Sequence, residues 1–247
     1  MMDADSLLTA LASDGETLAD TADGHLDRPV PSCPEWNIAG LVAHVGRVHG
    51  WVRAVIAAGG ERPDTRGSAA PDDLAALVGW YRDGLTQLVA ALSVDPETPA
   101  WTFSSAAPDN VGWWRRRQAL ETAVHRWDAQ AAAAESAAAD PIEAELAVEG
   151  IDELLTDFVP GFLSSRPVAG LTGTLHLHAT DTPGEWWLDF DAPGLATRRE
   201  HAKADTAVRG PASSLYLWLW NRLTLDAAGL QVFGRSETVE AWGSVRI

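Results

Sequence analysis

Residues 121–130 read "ETAVHRWDAQ", and within them Glu121 and His125 are four positions apart. On a helix that spacing places a carboxylate and an imidazole one above the other on a single face. An oxygen and a nitrogen donor so aligned can share a cation, provided a further donor arrives from another segment. The segment "LVAHVGRVHGW" offers one: His44 lies in line with Leu41, Val48, Trp51 and Val55, an apolar arc, while His49 falls near the edge of that arc. His44 is therefore expected to point inward and His49 to take no part. One histidine from one helix and Glu-x-x-x-His from another supply N, O and N donors, the set that zinc takes where a fourth position stays open. Asp128, one turn beyond His125, is placed to accept a hydrogen bond from a ligand. Spacing alone leaves a second reading open, in which His44 and His125 are core histidines bonded to Glu121 with no metal between them.

These side chains need helices to hold them, and the first half of the chain reads as four. They are expected over about residues 4–21, 38–57, 71–92 and 111–135, the second capped by Asn37 after the proline-broken stretch "DRPVPSCPEWN" and ended by Gly59 and Gly60. Projected at about 100° per residue, the fourth helix shows three arcs. Leu120, Val124, Trp127 and Ala131 make an apolar stripe, and Thr122, Arg126 and Gln130 a face expected to be solvated. Between them run Trp114, Gln118, Glu121, His125, Asp128 and Ala132, a polar stripe bordering the core, where desolvation is costly unless something charged is bound. Arg115, Arg116 and Arg117 are expected on a solvated face, and Cys33, with no basic neighbour, as a structural residue. Four such helices suggest a four-helix bundle.

Beyond Pro141 a helix is expected over about 142–158, and then the period changes. "LTGTLHLHAT" alternates apolar and polar as a half-buried strand does, "EWWLDF" follows a Thr-Pro-Gly turn as its hairpin partner, and "TAVRG" and "LQVFG" read as further strands. A helix opened by Pro211 and a short closing helix over 237–242 complete an α+β half, with His176 and His178 facing outward or into a domain seam. The expected division is residues 1–138 and 139–247.

Composition narrows the function classes. A net charge of −17 repels nucleic-acid phosphates and anionic lipids, so neither is an expected partner. The single cysteine excludes an internal disulfide and any cysteine-rich zinc site, so a metal must be held by His, Asp or Glu. With no long apolar run and no secretion signal at the N-terminus, a soluble cytoplasmic protein is expected, a monomer by default. Seven of the twelve tryptophans fall between Trp36 and Trp127, where aromatic packing between helices accounts for them.

"VPSCPEWNIAGLVAHVGRVHGW", "ETAVHRWDAQAA" and "VRGPASSLYLWLWNRL" together resemble the mycothiol-dependent maleylpyruvate isomerase family. The resemblance implies a DinB-like metal-binding bundle followed by a smaller α+β domain of sterol-carrier type. It implies a divalent metal, zinc, on His44, Glu121 and His125, and the small thiol mycothiol as cofactor. It also implies a catalytic arginine from a Gly-Arg pair after the apolar helix. That pair is Asn221-Arg222 here, so the charge is kept and the glycine lost. In such a family the thiol, activated by the metal, adds to an electrophilic double bond; the bond then rotates and the thiol leaves, or the adduct is kept as an S-transfer product. Arg222 would hold a carboxylate of substrate or cofactor, its alternative role being a charge at a helix C-terminus. Two other functions fit the same metal ligands: a non-catalytic metal-binding or stress-response protein, and a metal-dependent hydrolase with Asp128 as general base.

Overall fold

A computed structural model describes residues 2–65, 67–104, 106–134, 139–192 and 195–246. They form two compact units, Met1–Ile142 and Glu143–Ile247. Residue 138, the last of the first expected domain, lies outside the described residues.

The first unit is made of four helices, α1 (Ala4–Ala22), α2 (Ile38–Ala57), α3 (Leu74–Leu92) and α4 (Val111–Ala133). The side chain of an Asp or Asn opens each one: Asp3, Asn37, Asp73 and Asn110 accept from backbone N–H groups of the first turn that would otherwise lack partners. α1 packs on α4 and α2 on α3, around Leu11, Leu18, Leu41, Val45, Tyr81, Leu88, Trp114 and Leu120, all buried. Trp51, Trp101, Trp113, Trp114 and Phe103 meet edge to face at one end of α4. The residue at 135, expected to end the fourth helix, lies outside the described residues.

α4 departs from the expected pattern. Thr122 and Arg126 do not face solvent; both are buried, because α1 covers that side. Arg126 is satisfied there by Asp14 Oδ1 at 3.1 Å and by the carbonyls of Asp140 at 2.5 Å and Pro141 at 3.2 Å. Arg115 is likewise buried, donating from Nε to the Leu92 carbonyl at 2.6 Å and from its terminal nitrogen to the Val94 carbonyl. It thus fills the unpaired acceptors at the end of α3.

In the second unit α5 (Ala144–Glu153) runs through a π-helical turn, Leu154–Phe158, into α6 (Val159–Ser165). The expected uninterrupted helix is broken because Pro160, at the start of α6, has no N–H for the ladder and its ring crowds the preceding turn. β1 (Thr174–Ala179), β2 (Glu185–Asp189), β3 (Ala196–Arg198), β4 (Thr206–Gly210) and β5 (Gln231–Gly234) form one sheet in the order β3-β2-β1-β4-β5, with α7 (Ala212–Leu219) between β4 and β5 and α8 (Glu237–Trp242) at the end. β1 and β4 are parallel and the other neighbours antiparallel. One sheet face, with Leu175, Leu177, Trp186, Leu188 and Val208, is buried together with Ile151 and Leu215 of the helices. β3 was not expected; three residues are too few to show alternation. Among the described residues no helix is long and apolar enough to cross a membrane.

Candidate metal centre

His44 stands on α2, two turns after its Asn37 cap, and Glu121 and His125 stand on α4. The loop before α2 folds back on itself through a bridge between Pro29 and Asn37 and a Val30 N–H bond to the Trp36 carbonyl at 2.9 Å, which sets Ser32 and Trp36 beside these side chains. His44 Nε2 lies 3.3 Å and His125 Nε2 3.4 Å from the same oxygen, Glu121 Oε1. One ligand atom from each of the three residues lies within 4.8 Å of the others. Corners of a tetrahedron with metal–ligand bonds of 2.0–2.1 Å are roughly 3.3 Å apart, so two of these spacings are those of donors around one zinc-sized ion.

Each donor is oriented by a partner. His125 Nδ1 meets Asp128 Oδ2 at 3.0 Å, and Asp128, fully buried, also accepts from Ser32 Oγ at 2.5 Å. The second Glu121 oxygen is paired with Arg117, which is buried and not, as its neighbours in sequence suggest, on a solvated face. The Trp36 ring lies 4.8 Å from that of His44 and 6.2 Å from that of His125. Burial opposes ionisation of Glu121, but the Arg117 guanidinium and hydrogen bonds from both histidines outweigh it and hold the carboxyl well below its usual range. Burial likewise opposes protonation of His125; bonds to Asp128 and Glu121 prevail and push it up to about 9. An acidic carboxylate and a histidine flanked by two carboxylates are what a cation would find and use, displacing the imidazole proton.

The two histidines of α2 trade the burial expected of them. His44 is partly exposed, whereas His49 is fully buried, 3.2 Å from Thr122 Oγ1 and beside the Tyr81 ring, and is pushed down to about 3 by its burial. Its neutral ring belongs to the core. Of the expected arc, Leu41 and Val55 are buried while Val48 and Trp51 are only partly so, and the buried side extends through Val42, Val45, His49 and Val52.

The profile of the mycothiol maleylpyruvate isomerase N-terminal domain matches residues 7–130, and that of the MDMPI C-terminal domain matches residues 145–241. The chain belongs to the mycothiol maleylpyruvate isomerase family. It shares its fold with a crystal structure of a mycothiol-dependent maleylpyruvate isomerase carrying a histidine-to-alanine mutation, at a TM-score of 0.61 and 12% identity over 94% of this chain and 93% of that one. A second structure of mycothiol-dependent maleylpyruvate isomerase gives 0.60 and 12%, over 90% of each chain. No curated protein matches the sequence.

In this member of the family the Asn221-Arg222 pair keeps the turn a glycine would make. Asn221 has φ 57°, its N–H bonds the Trp218 carbonyl at 2.8 Å, and the Arg222 N–H bonds the Leu217 carbonyl at 2.8 Å. This is a Schellman ending of α7 with asparagine in the left-handed position, the residue after glycine best suited to it. The Arg222 side chain is half-buried and donates to the Trp220 carbonyl at 3.0 Å, as a helix C-terminal cation does. Cys33 is partly buried, and its backbone N–H and carbonyl hold the loop turn, at 3.0 Å to Val30 and 2.8 Å to Trp36. Ser32 and Trp36 were not expected at the site from the sequence, and Arg117 was expected on a solvated face. The place of Arg117 could have been read from its position one turn before Glu121 on the same helix face.

Proposed function

We propose that this protein binds a divalent metal, zinc by its donor set, on His44, Glu121 and His125, and uses it to activate mycothiol for addition to an electrophilic small molecule. In this reading residues 1–138 are the metal-binding bundle and residues 139–247 the sterol-carrier-like domain, acting in the cytoplasm. The observation that carries it is the convergence of two imidazole nitrogens on one carboxylate oxygen, at 3.3 and 3.4 Å, with the other atoms of two of the three residues already held by Asp128 and Arg117. When bound, an ion with an open position lowers the pKa of a thiol from about 8.5 and makes a thiolate available at neutral pH.

The chain's own residues supply the rest. Asp128 fixes the His125 ring so that Nε2 faces the centre, Arg117 keeps Glu121 ionised, and Trp36 shields His44 on one side. Arg222 is assigned a carboxylate of the substrate or cofactor, which a guanidinium holds with two parallel hydrogen bonds. The sulfur–carbon bond formed at the electrophile is either broken again after rotation about the former double bond, an isomerisation, or kept with a proton added to the adjacent carbon, an S-transfer. Hydrolysis with Asp128 as general base is disfavoured, because that carboxylate is fully buried and spent on His125 and Ser32.

The test joins elemental analysis of the purified protein to a screen of electrophiles with and without mycothiol. Loss of one equivalent of metal in His44→Ala and thiol-dependent turnover support the reading. Metal without turnover on any electrophile makes the protein a non-catalytic metal binder, and turnover indifferent to the thiol removes the thiol mechanism.

A further inference from the structure

The sheet of the second unit carries another donor cluster, built from a different part of the sequence. His176 and His178 alternate on β1 with Leu175 and Leu177, so both imidazoles stand on the sheet face opposite the apolar core. Glu185 begins β2 directly across from His178 in the antiparallel register. His201 comes from the segment between β3 and β4, which is held beyond it: the Lys203 carbonyl accepts from Trp187 Nε1 at 3.2 Å, and the Asp205 carboxylate accepts from the Thr174 N–H at 3.0 Å.

The three imidazoles surround one carboxylate. His176 Nε2 lies 3.3 Å and His201 Nδ1 2.7 Å from Glu185 Oε2, and His178 Nδ1 lies 2.9 Å from Oε1. One ligand atom from each of the four residues falls within 4.8 Å of the others. The arrangement draws three rings onto a single carboxylate on one sheet face, with Arg209 of β4 as the register partner of His178. As a set of ligands it is well matched: three imidazoles and one carboxylate are the donors of a borderline divalent ion, and the spacings of 2.7, 2.9 and 3.3 Å reach up to the roughly 3.3 Å between tetrahedral corners.

We propose that His176, His178, Glu185 and His201 form a second binding site for a divalent transition ion of the zinc class, independent of the site on α2 and α4. Four protein donors leave no open corner, so the second ion is structural where the first is reactive. Its work is to fasten the segment 199–205 to the sheet through His201, whose side chain is otherwise 77% exposed.

The experiment is a zinc titration of the full-length protein without a histidine tag, by calorimetry and by metal analysis after gel filtration. The wild type is expected to hold two ions, His201→Ala and His178→Ala one each, His44→Ala one, and the His44→Ala/His201→Ala double variant none. His201 is exposed in a loop, so its loss leaves the fold intact and the reading does not hinge on a variant that fails to fold. Tryptic cleavage after Arg199 and Lys203 gives a second readout: zinc slows it in the wild type and not in His201→Ala. An unchanged stoichiometry in both His201→Ala and His178→Ala overturns the proposal, as does a single wild-type ion that His44→Ala removes. A single ion that survives His44→Ala and disappears in His201→Ala supports this site and overturns the other.

Discussion

Asp128 and His49 are both buried polar residues on the facing sides of α2 and α4, and they do opposite work. Asp128 acts on the candidate centre through His125, whose tautomer and angle it fixes by the 3.0 Å contact at Nδ1. Replacing it with asparagine keeps the shape and removes the charge, and losses of this kind weaken metal binding about 10- to 100-fold. Competition with a chromogenic chelator measures that shift, and an unchanged zinc affinity in Asp128→Asn would mean that the contact orients nothing. His49 acts on stability. Its pKa is about 3 in the folded protein against about 6.5 unfolded, so below pH 6.5 the unfolded chain takes up a proton that the native one refuses. Stability from this group is therefore constant above about pH 6.5 and falls as pH drops toward 3, by roughly 2 kcal/mol between pH 7 and pH 5. Urea unfolding at those two pH values is expected to show this loss in the wild type and to show it reduced by about that amount in His49→Gln, whatever the variant's stability at pH 7.

α2 reaches α3 closely at Gly46, where a Cβ would stand 2.3 Å from the Trp80 ring. The half-buried Trp80 ring must shift to admit a methyl group there, so Gly46→Ala is expected to destabilise by about 1–3 kcal/mol and to weaken zinc binding by displacing His44, which lies two residues earlier on α2. Gly79, on α3 with nothing within 4 Å of its would-be Cβ, is the control: there alanine is expected to stabilise by up to about 1 kcal/mol through helix propensity alone. Thermal denaturation of the two variants side by side separates packing from propensity. The same elements mark where the sequence was readable. Spacing of 3.6 and of 2 found the four helices, the Asn37 cap and most of the sheet, and the four-residue step found Glu121 and His125, because those features are local. What it missed depends on distant neighbours. α4 is covered by α1 on the face that Thr122 and Arg126 occupy, so a polar stripe read as solvated is a buried, paired one. Ser32 meets Asp128 across 96 positions of sequence, which no periodicity can reveal. His176, His178, Glu185 and His201 come together only once β1, β2 and the segment after β3 are in register.

For the whole molecule the charge of −17 and the two clusters pull in the same direction, since an acidic protein concentrates cations and discourages anions around it. Ions that bind only the folded chain add stability as RT ln(1 + [L]/Kd), about 2.7 kcal/mol for each site at a free concentration one hundred times its Kd. Each unit has its own core, with Leu120 and Leu41 in one and Leu177 and Trp186 in the other, so each ion protects the unit that holds it. Hydrogen exchange followed by mass spectrometry distinguishes the two contributions where a single melting temperature would merge them. Removing zinc with a chelator is expected to speed exchange in peptides covering α2 and α4 and, separately, in those covering β1 and residues 199–205. In His44→Ala the first change should vanish because that site is already empty, while the second remains; in His201→Ala the pattern should reverse. Exchange in both regions that ignores chelation would remove the metal from the account of either unit. The histidines would then be groups that bind protons, and the acid sensitivity assigned to His49 would be joined by that of His125, whose raised pKa adds stability below about pH 6.5 and loses it as pH rises through 9.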